Sequence, residues 1–349
     1  MMSDALATGL FVAGRGSGPQ DGLHLFVEDD GAWRGRQLAT VDQLSSLAWH
    51  PTLPVIYGTS GLDGVEHGRV HAWNVADDDA IFLNSIDSQG VEPCHLSVDG
   101  AGRMLVVANY QTSTLGVQML HSDGSFDGDL ELLRLTGGSI DPDRQDDAHP
   151  HQVVFDGDRL YVVDLGADLL REFKDDRSHR GADALVQVSE TPFPAGTGPR
   201  HLVILPAGRF ALSAELSSEI VTGKQGSGVE GWRVASSTKK LGPAQTRHSR
   251  NYPGDITGSV DGRLAYFANR GYDTISTFDV SGAEPRLLSE LDAGVAWPQH
   301  LLLWGDQLLV AGWDGSQVMA MPLSDGLPGQ PKVLLDCAGA GWLLPRRSA

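Results

Sequence analysis

The sequence predicts an all-β fold: a seven-bladed β-propeller, one domain over residues 1–349, its ring closed by N- and C-terminal strands that share a blade. Three observations predict it. A unit of apolar strand, turn and second apolar strand recurs along the chain. Each recurrence is long enough for the four short strands of a propeller blade. The two chain ends read as complementary halves of one more unit.

The unit is clearest from Ala148-His149-Pro150-His151-Gln152, through Asp156-Gly157-Asp158-Arg159, to Leu160-Tyr161-Val162-Val163-Asp164. Aligned on the turn residue before the first strand, usually proline, units start at Leu44, Pro93, Pro150, Pro199, Pro253 and Pro298. Successive starts lie 49, 57, 49, 54 and 45 residues apart. Pro93 leads to His95-Leu96-Ser97-Val98 and then Met104 to Ala108; Pro199 leads to Leu202-Val203-Ile204 and then Phe210 to Ala214. Further strands follow within units, such as Gly68 to Asn74 and Thr274 to Val280. Gly339 to Leu344 opens a unit that the chain does not complete, while Gly9 to Ala13 and Gly22 to Val27 read as its second and third strands. From Ala340 round to Leu44 is 53 residues, one ordinary period. Closure of this kind removes open sheet edges. Glycine (43) and proline (18) are spread along the chain, as many short strands joined by turns require. No helix of useful length is expected. Asp77-Asp78-Asp79 and Asp146-Asp147 read as solvated loop charge, and Lys224 to Gly228 as a glycine-rich insertion in the fifth unit.

A net charge of −19 argues against nucleic-acid binding and against docking on anionic membranes. It leaves room for an anionic small-molecule substrate, because a few pocket arginines can invert the local potential. No run of 18 apolar residues is present to span a bilayer. Met1 to Ala7 lack the basic and apolar regions of a signal peptide. Cys94 and Cys337 do not make a disulfide framework. The expectation is a cytoplasmic monomer without cofactor or bound metal.

In a propeller the turn before each innermost strand converges on a central channel, where ligands bind. The polar residues after each proline are Cys94 and His95, His151 and Gln152, Arg200 and His201, Gly254 and Asp255, Gln299 and His300. Asn109, Asp164, Glu215 and Asn269 stand at the ends of second strands, with Arg270 following. His95, His201, His300, Asp164 and Asn269 recur at equivalent places, either as substrate contacts or as ties between blades. His151, Arg200, Glu215 and Arg270 break the repeat and are the catalytic candidates.

Three stretches carry a resemblance: His149-Pro150-His151-Gln152 with Asp164-Leu165-Gly166-Ala167-Asp168, Gly198-Pro199-Arg200-His201 with Glu215-Leu216, and Ala268-Asn269-Arg270 with Asp273-Thr274-Ile275. They resemble the lactonase family of seven-bladed propellers, which includes bacterial 6-phosphogluconolactonases and fungal carboxy-cis,cis-muconate cyclases. The resemblance implies a central site with one His, two Arg and one Glu, which match His151, Arg200, Arg270 and Glu215. The last blade departs from the family pattern, with Gln299-His300 where Pro-Arg is common, and Gly312-Trp313 where a small residue and Asn are frequent.

Lactone hydrolysis needs an activated water and a donor for the tetrahedral oxyanion. Glu215, together with His151, is expected to deprotonate water or protonate the leaving ring oxygen. Arg200 and Arg270 are expected to hold a carboxylate or phosphate. The leading substrate is 6-phosphogluconolactone. The same residues could instead cyclise a muconate-like dicarboxylate. A third reading is a non-catalytic binding scaffold, against which the one-sided charged quartet argues. Other constellations are weaker. Proline makes the side chains of His149 and His151 diverge as metal ligands, and Arg270 opposes a calcium ion near Asn109, Asp164, Glu215 and Asn269. Gly14 to Gly18 precedes no helix, so a phosphate-loop reading fails its context. There is no Gly-x-Ser-x-Gly elbow.

Overall fold

The second strand of each unit is apolar without alternation, as a strand covered on both faces must be. Met104–Asn109, Leu264–Arg270 and Gly9–Gly14 are buried along their whole length. The computed structural model describes residues 9–76, 79–224, 235–236 and 250–347. These form seven antiparallel sheets, six of four strands and one, opened by Pro298–Trp304, of five. The innermost strands are Ala340–Pro345, Ser46–Trp49, Pro93–Val98, Pro150–Asp156, Pro199–Leu205, Tyr252–Gly258 and Pro298–Trp304. They touch one another in cyclic succession, the last against the first, and so line a closed channel. Apolar clusters fill the gaps between neighbouring blades, with Val55 and Tyr57 of one blade packed on Leu105 and Val107 of the next. The fold is the expected seven-bladed propeller. Its closure is also as expected: Leu343 pairs with Val12 and Trp342 with Ala13, so one sheet holds both chain ends.

The helical turns at Gly181–Ala184 and Pro206–Gly208 are one turn each. No helix among the described residues is long and apolar enough to cross a membrane. Asp77, Asp78 and the 225–228 part of the expected insertion lie outside the described residues.

One irregularity repeats around the ring. In five innermost strands the register shifts right after the opening proline: between Pro93 and His95, Pro150 and Gln152, Pro199 and His201, Pro253 and Ile256, and Pro298 and His300. Each shift is a β-bulge, an extra residue that breaks the ladder and re-aims its side chain. In three blades the residue before the proline is left-handed: Glu92 (φ 57°), Gly198 (φ 58°) and Trp297 (φ 53°). A Cβ at Gly198 would also meet the Leu216 side chain at 2.3 Å.

Candidate active site

The bulges build the site. Cys94, His151, Arg200 and Gln299 are the extra residues of four blades, and all four line one central cavity of about 190 Å³. A second set comes from the residue just past each second strand's pairing with the proline. Pro93 pairs with Asn109, Pro150 with Asp164, Pro253 with Asn269 and Pro199 with Ala214. The cavity-lining residues are one step further on, at Tyr110, Glu215 and Arg270, with Trp313 following Gly312 in the last blade. Glu215 is therefore equivalent to Arg270 and Tyr110, not to Asn109, Asp164 and Asn269. A one-residue step along a strand turns the side chain to the other face.

Arg144 also reaches the cavity, from the connection before Pro150. The spacing of 57 residues between Pro93 and Pro150, the longest in the chain, is the signal in the sequence that could have drawn attention to it. Asp146 and Asp147 lie in this connection as the expected solvated loop charge and also tie it down: Asp147 accepts a 2.7 Å hydrogen bond from Arg134, and Asp146 lies 3.1 Å from His149 Nε2.

Glu215 is the hub of the charges. Its Oε2 accepts a 2.5 Å hydrogen bond from Arg270 Nη2, its Oε1 one of 2.8 Å from Arg144 Nη2, and Arg200 Nε lies 3.1 Å from Oε2. Tyr110 Oη supports Arg144 at 3.1 Å. Burial alone would raise the Glu215 carboxyl, but Arg270, Arg144 and Arg200 together hold it down at about 2. A carboxylate this well compensated is a weak base. Its place in the geometry is among three guanidiniums, which it holds together. Arg200 is only 2% exposed. Its Nε, though paired in charge with Glu215, is misaligned for a hydrogen bond, and neither Nε nor Nη1 makes one. Burial, with Arg270 beside it, lowers its guanidinium to about 9, leaving it a cation at neutral pH. Burial and then Arg200 keep the His151 imidazole neutral. Cys94 lines the cavity as a thiol, pushed up to about 12 chiefly by burial. Arg15, from the glycine-rich stretch, stacks 3.5 Å over Trp313 and bonds Asp63 at 2.5 Å.

The family described as "Lactonase, 7-bladed beta-propeller" matches residues 22–325. The chain belongs to this family. Among relatives of this propeller lactonase, a 6-phosphogluconolactonase of Bacillus subtilis is 28% identical over 255 residues, covering 71% of this chain and 70% of its own. One of Formosa agariphila is 26% identical over 277 residues, covering 75% and 76%. Two solved structures share the fold: a Lactobacillus plantarum protein (TM-score 0.82, 23% identity, 97% and 99% covered) and the periplasmic gluconolactonase of Pseudomonas aeruginosa (TM-score 0.80, 23% identity, 96% and 98% covered).

Within this lactonase, His151, Arg200, Glu215 and Arg270 meet in the cavity, and His201 also lines it. His95 and His300 lie beside it against Trp342, with ring centroids 5.2 and 4.1 Å away. Asp164 and Asn269 were candidates for substrate contact, and the structure places them elsewhere. Fully buried, they tie their own blades. Asp164 accepts from His149 N (2.8 Å), Ala167 N (3.1 Å) and Arg171 Nε (2.9 Å). Asn269 bonds Asn251, Thr274 and Ser276. Asp164→Ala is therefore expected to cost roughly 2–4 kcal/mol of stability, because the buried Arg171 keeps only the half-exposed Glu190 as countercharge and the His149 and Ala167 amides lose their acceptor, and to leave KM for the lactone substrate unchanged. Denaturant unfolding beside steady-state kinetics checks this. His149 donates from Nδ1 to Tyr110 O (2.8 Å) and its ring stacks on the Tyr110 ring at 4.6 Å. Among the described residues, no three His, Cys, Asp or Glu side chains gather as a metal site would require.

Proposed function

We propose that this protein hydrolyses the lactone of an anionic sugar acid, with 6-phosphogluconolactone the leading substrate, and that an arginine clamp holds the anion. The observation that carries this reading is Arg200, a buried guanidinium whose Nε and Nη1 donate to nothing. Unpaired buried donors are costly, and a phosphate or carboxylate in the cavity would complete them. Arg15, Arg144, Arg200 and Arg270 line the cavity against Asp63, Glu92 and Glu215, so it keeps a small excess of positive charge inside an acidic protein. The names of the Bacillus and Formosa relatives support the phosphorylated lactone. Water attacks the lactone carbonyl, a guanidinium receives the developing oxyanion, and a neutral imidazole of the cavity carries the proton.

The test is proton release from freshly generated 6-phosphogluconolactone, above its spontaneous rate, with and without EDTA. Saturable turnover indifferent to EDTA is expected. No acceleration would end the assignment, and loss of turnover in EDTA would replace the imidazole mechanism with a metal-activated water.

A further inference from the structure

We propose that His201 is the general base of the lactonase reaction and that Asp255, buried beside it, is its positioning residue. The inference rests on the lactonase reading above and assigns a division of labour among the cavity's histidines that neither the repeat nor the family resemblance supplies.

His201 Nδ1 lies 2.8 Å from Asp255 Oδ1. A carboxylate only accepts, so Nδ1 carries the hydrogen and Nε2 keeps its lone pair. Asp255 is itself held: its Oδ2 accepts from Leu301 N at 2.9 Å and faces His300 Nε2 at 3.6 Å. His300 Nδ1 accepts from Leu343 N at 3.3 Å, so its own hydrogen is on Nε2, towards Asp255. The whole set is buried, and His201 reaches the cavity. His151, 5.2 Å away ring to ring, has no such support: its buried Nδ1 bonds nothing, and neither does that of His95. A base needs a third group to fix its tautomer and stabilise the imidazolium that forms. Of the cavity's two histidines, His201 has one. The charged and titratable groups facing it are Arg200, Asp255, His300, His95 and His151. Burial and then Arg200 lower its imidazole to about 4 against the pull of Asp255, so it is free of its second proton at neutral pH.

The step balances. Water oxygen bonds the carbonyl carbon while its proton passes to His201 Nε2, and the carbonyl electron pair moves onto oxygen beside the guanidiniums. Collapse breaks the ring C–O bond, and the ring oxygen takes the proton back from Nε2. The product is the open hydroxy acid, one water added.

Asp255→Asn is expected to lower kcat roughly 10²–10⁴-fold with KM within about threefold, and Asp255→Glu to restore at least tenfold of that loss. A purely structural role would lower the active fraction without moving the acid limb of the kcat/KM profile; the base role shifts it. Should Asp255→Asn fail to fold, ¹⁵N NMR of the wild type decides, with the Nδ1–H tautomer expected for His201 between pH 6 and 8. An Nε2–H tautomer, or wild-type kcat in Asp255→Asn, overturns the proposal alone. A wild type that turns over no lactone overturns it together with the lactonase reading.

Discussion

Arg200→Met should lower kcat/KM for 6-phosphogluconolactone by roughly 10²–10³-fold and leave the fold at least as stable as before. The two outcomes separate because Arg200 is a buried cation whose Nε and Nη1 bond nothing in the protein. Its removal gives up the 3.1 Å charge contact with Glu215, which Arg144 and Arg270 still pair, but no hydrogen bond through those atoms, and it relieves repulsion with Arg270, which is among the causes that lower its own guanidinium. An apolar side chain of similar length fills the space. What disappears is the donor set awaiting an anion. Kinetics and thermal unfolding on the same preparation test both halves. A variant that keeps wild-type kcat/KM would remove the clamp from the mechanism. One that unfolds several degrees earlier would make Arg200 a structural ion-pair partner instead.

Glu215→Gln should behave in the opposite way, with a loss of stability of roughly 3–5 kcal/mol. The neutral amide leaves Arg144, Arg200 and Arg270 gathered with no countercharge among them, and a buried charge stripped of its partner is a severe single-site defect. Activity falls too, but as a consequence of the displaced arginines rather than of a missing base. The pH dependence carries the same signature. The Glu215 carboxyl is lowered from its ordinary 4.5 to about 2 in the folded chain. Its contribution is fully present above 4.5 and is lost as pH falls through about 2. Acid unfolding of the wild type should therefore steepen across that window, and Glu215→Gln should lack this component. Joining Arg200→Met to Glu215→Gln should recover part of the stability, since residues that share a partner are not additive. An additive double variant would contradict the hub.

These effects show where the sequence suffices and where it does not. The proline-led repeat, its spacing and the split unit at the chain ends determined the seven blades and their closure, because strand, turn and strand are local properties of short apolar runs and glycine-rich turns. The same repeat brought His151, Arg200, Glu215 and Arg270 forward, since charged residues that interrupt a pattern have no reason in packing. Tertiary structure alone decided which way each side chain faces. A bulge after the proline turns Cys94, His151, Arg200 and Gln299 into the cavity. A single step past the second strand separates the cavity residues Tyr110 and Arg270 from the buried ties Asn109 and Asn269. Strand orientation has a period of two, so an irregularity of one residue inverts it, and a sequence pattern aligned by eye absorbs that residue unnoticed. Arg144 came from a connection outside the repeat, and the pairing of His201 with Asp255 joins blades 54 residues apart. Contacts of that separation belong to the closed ring and exist only once it has formed.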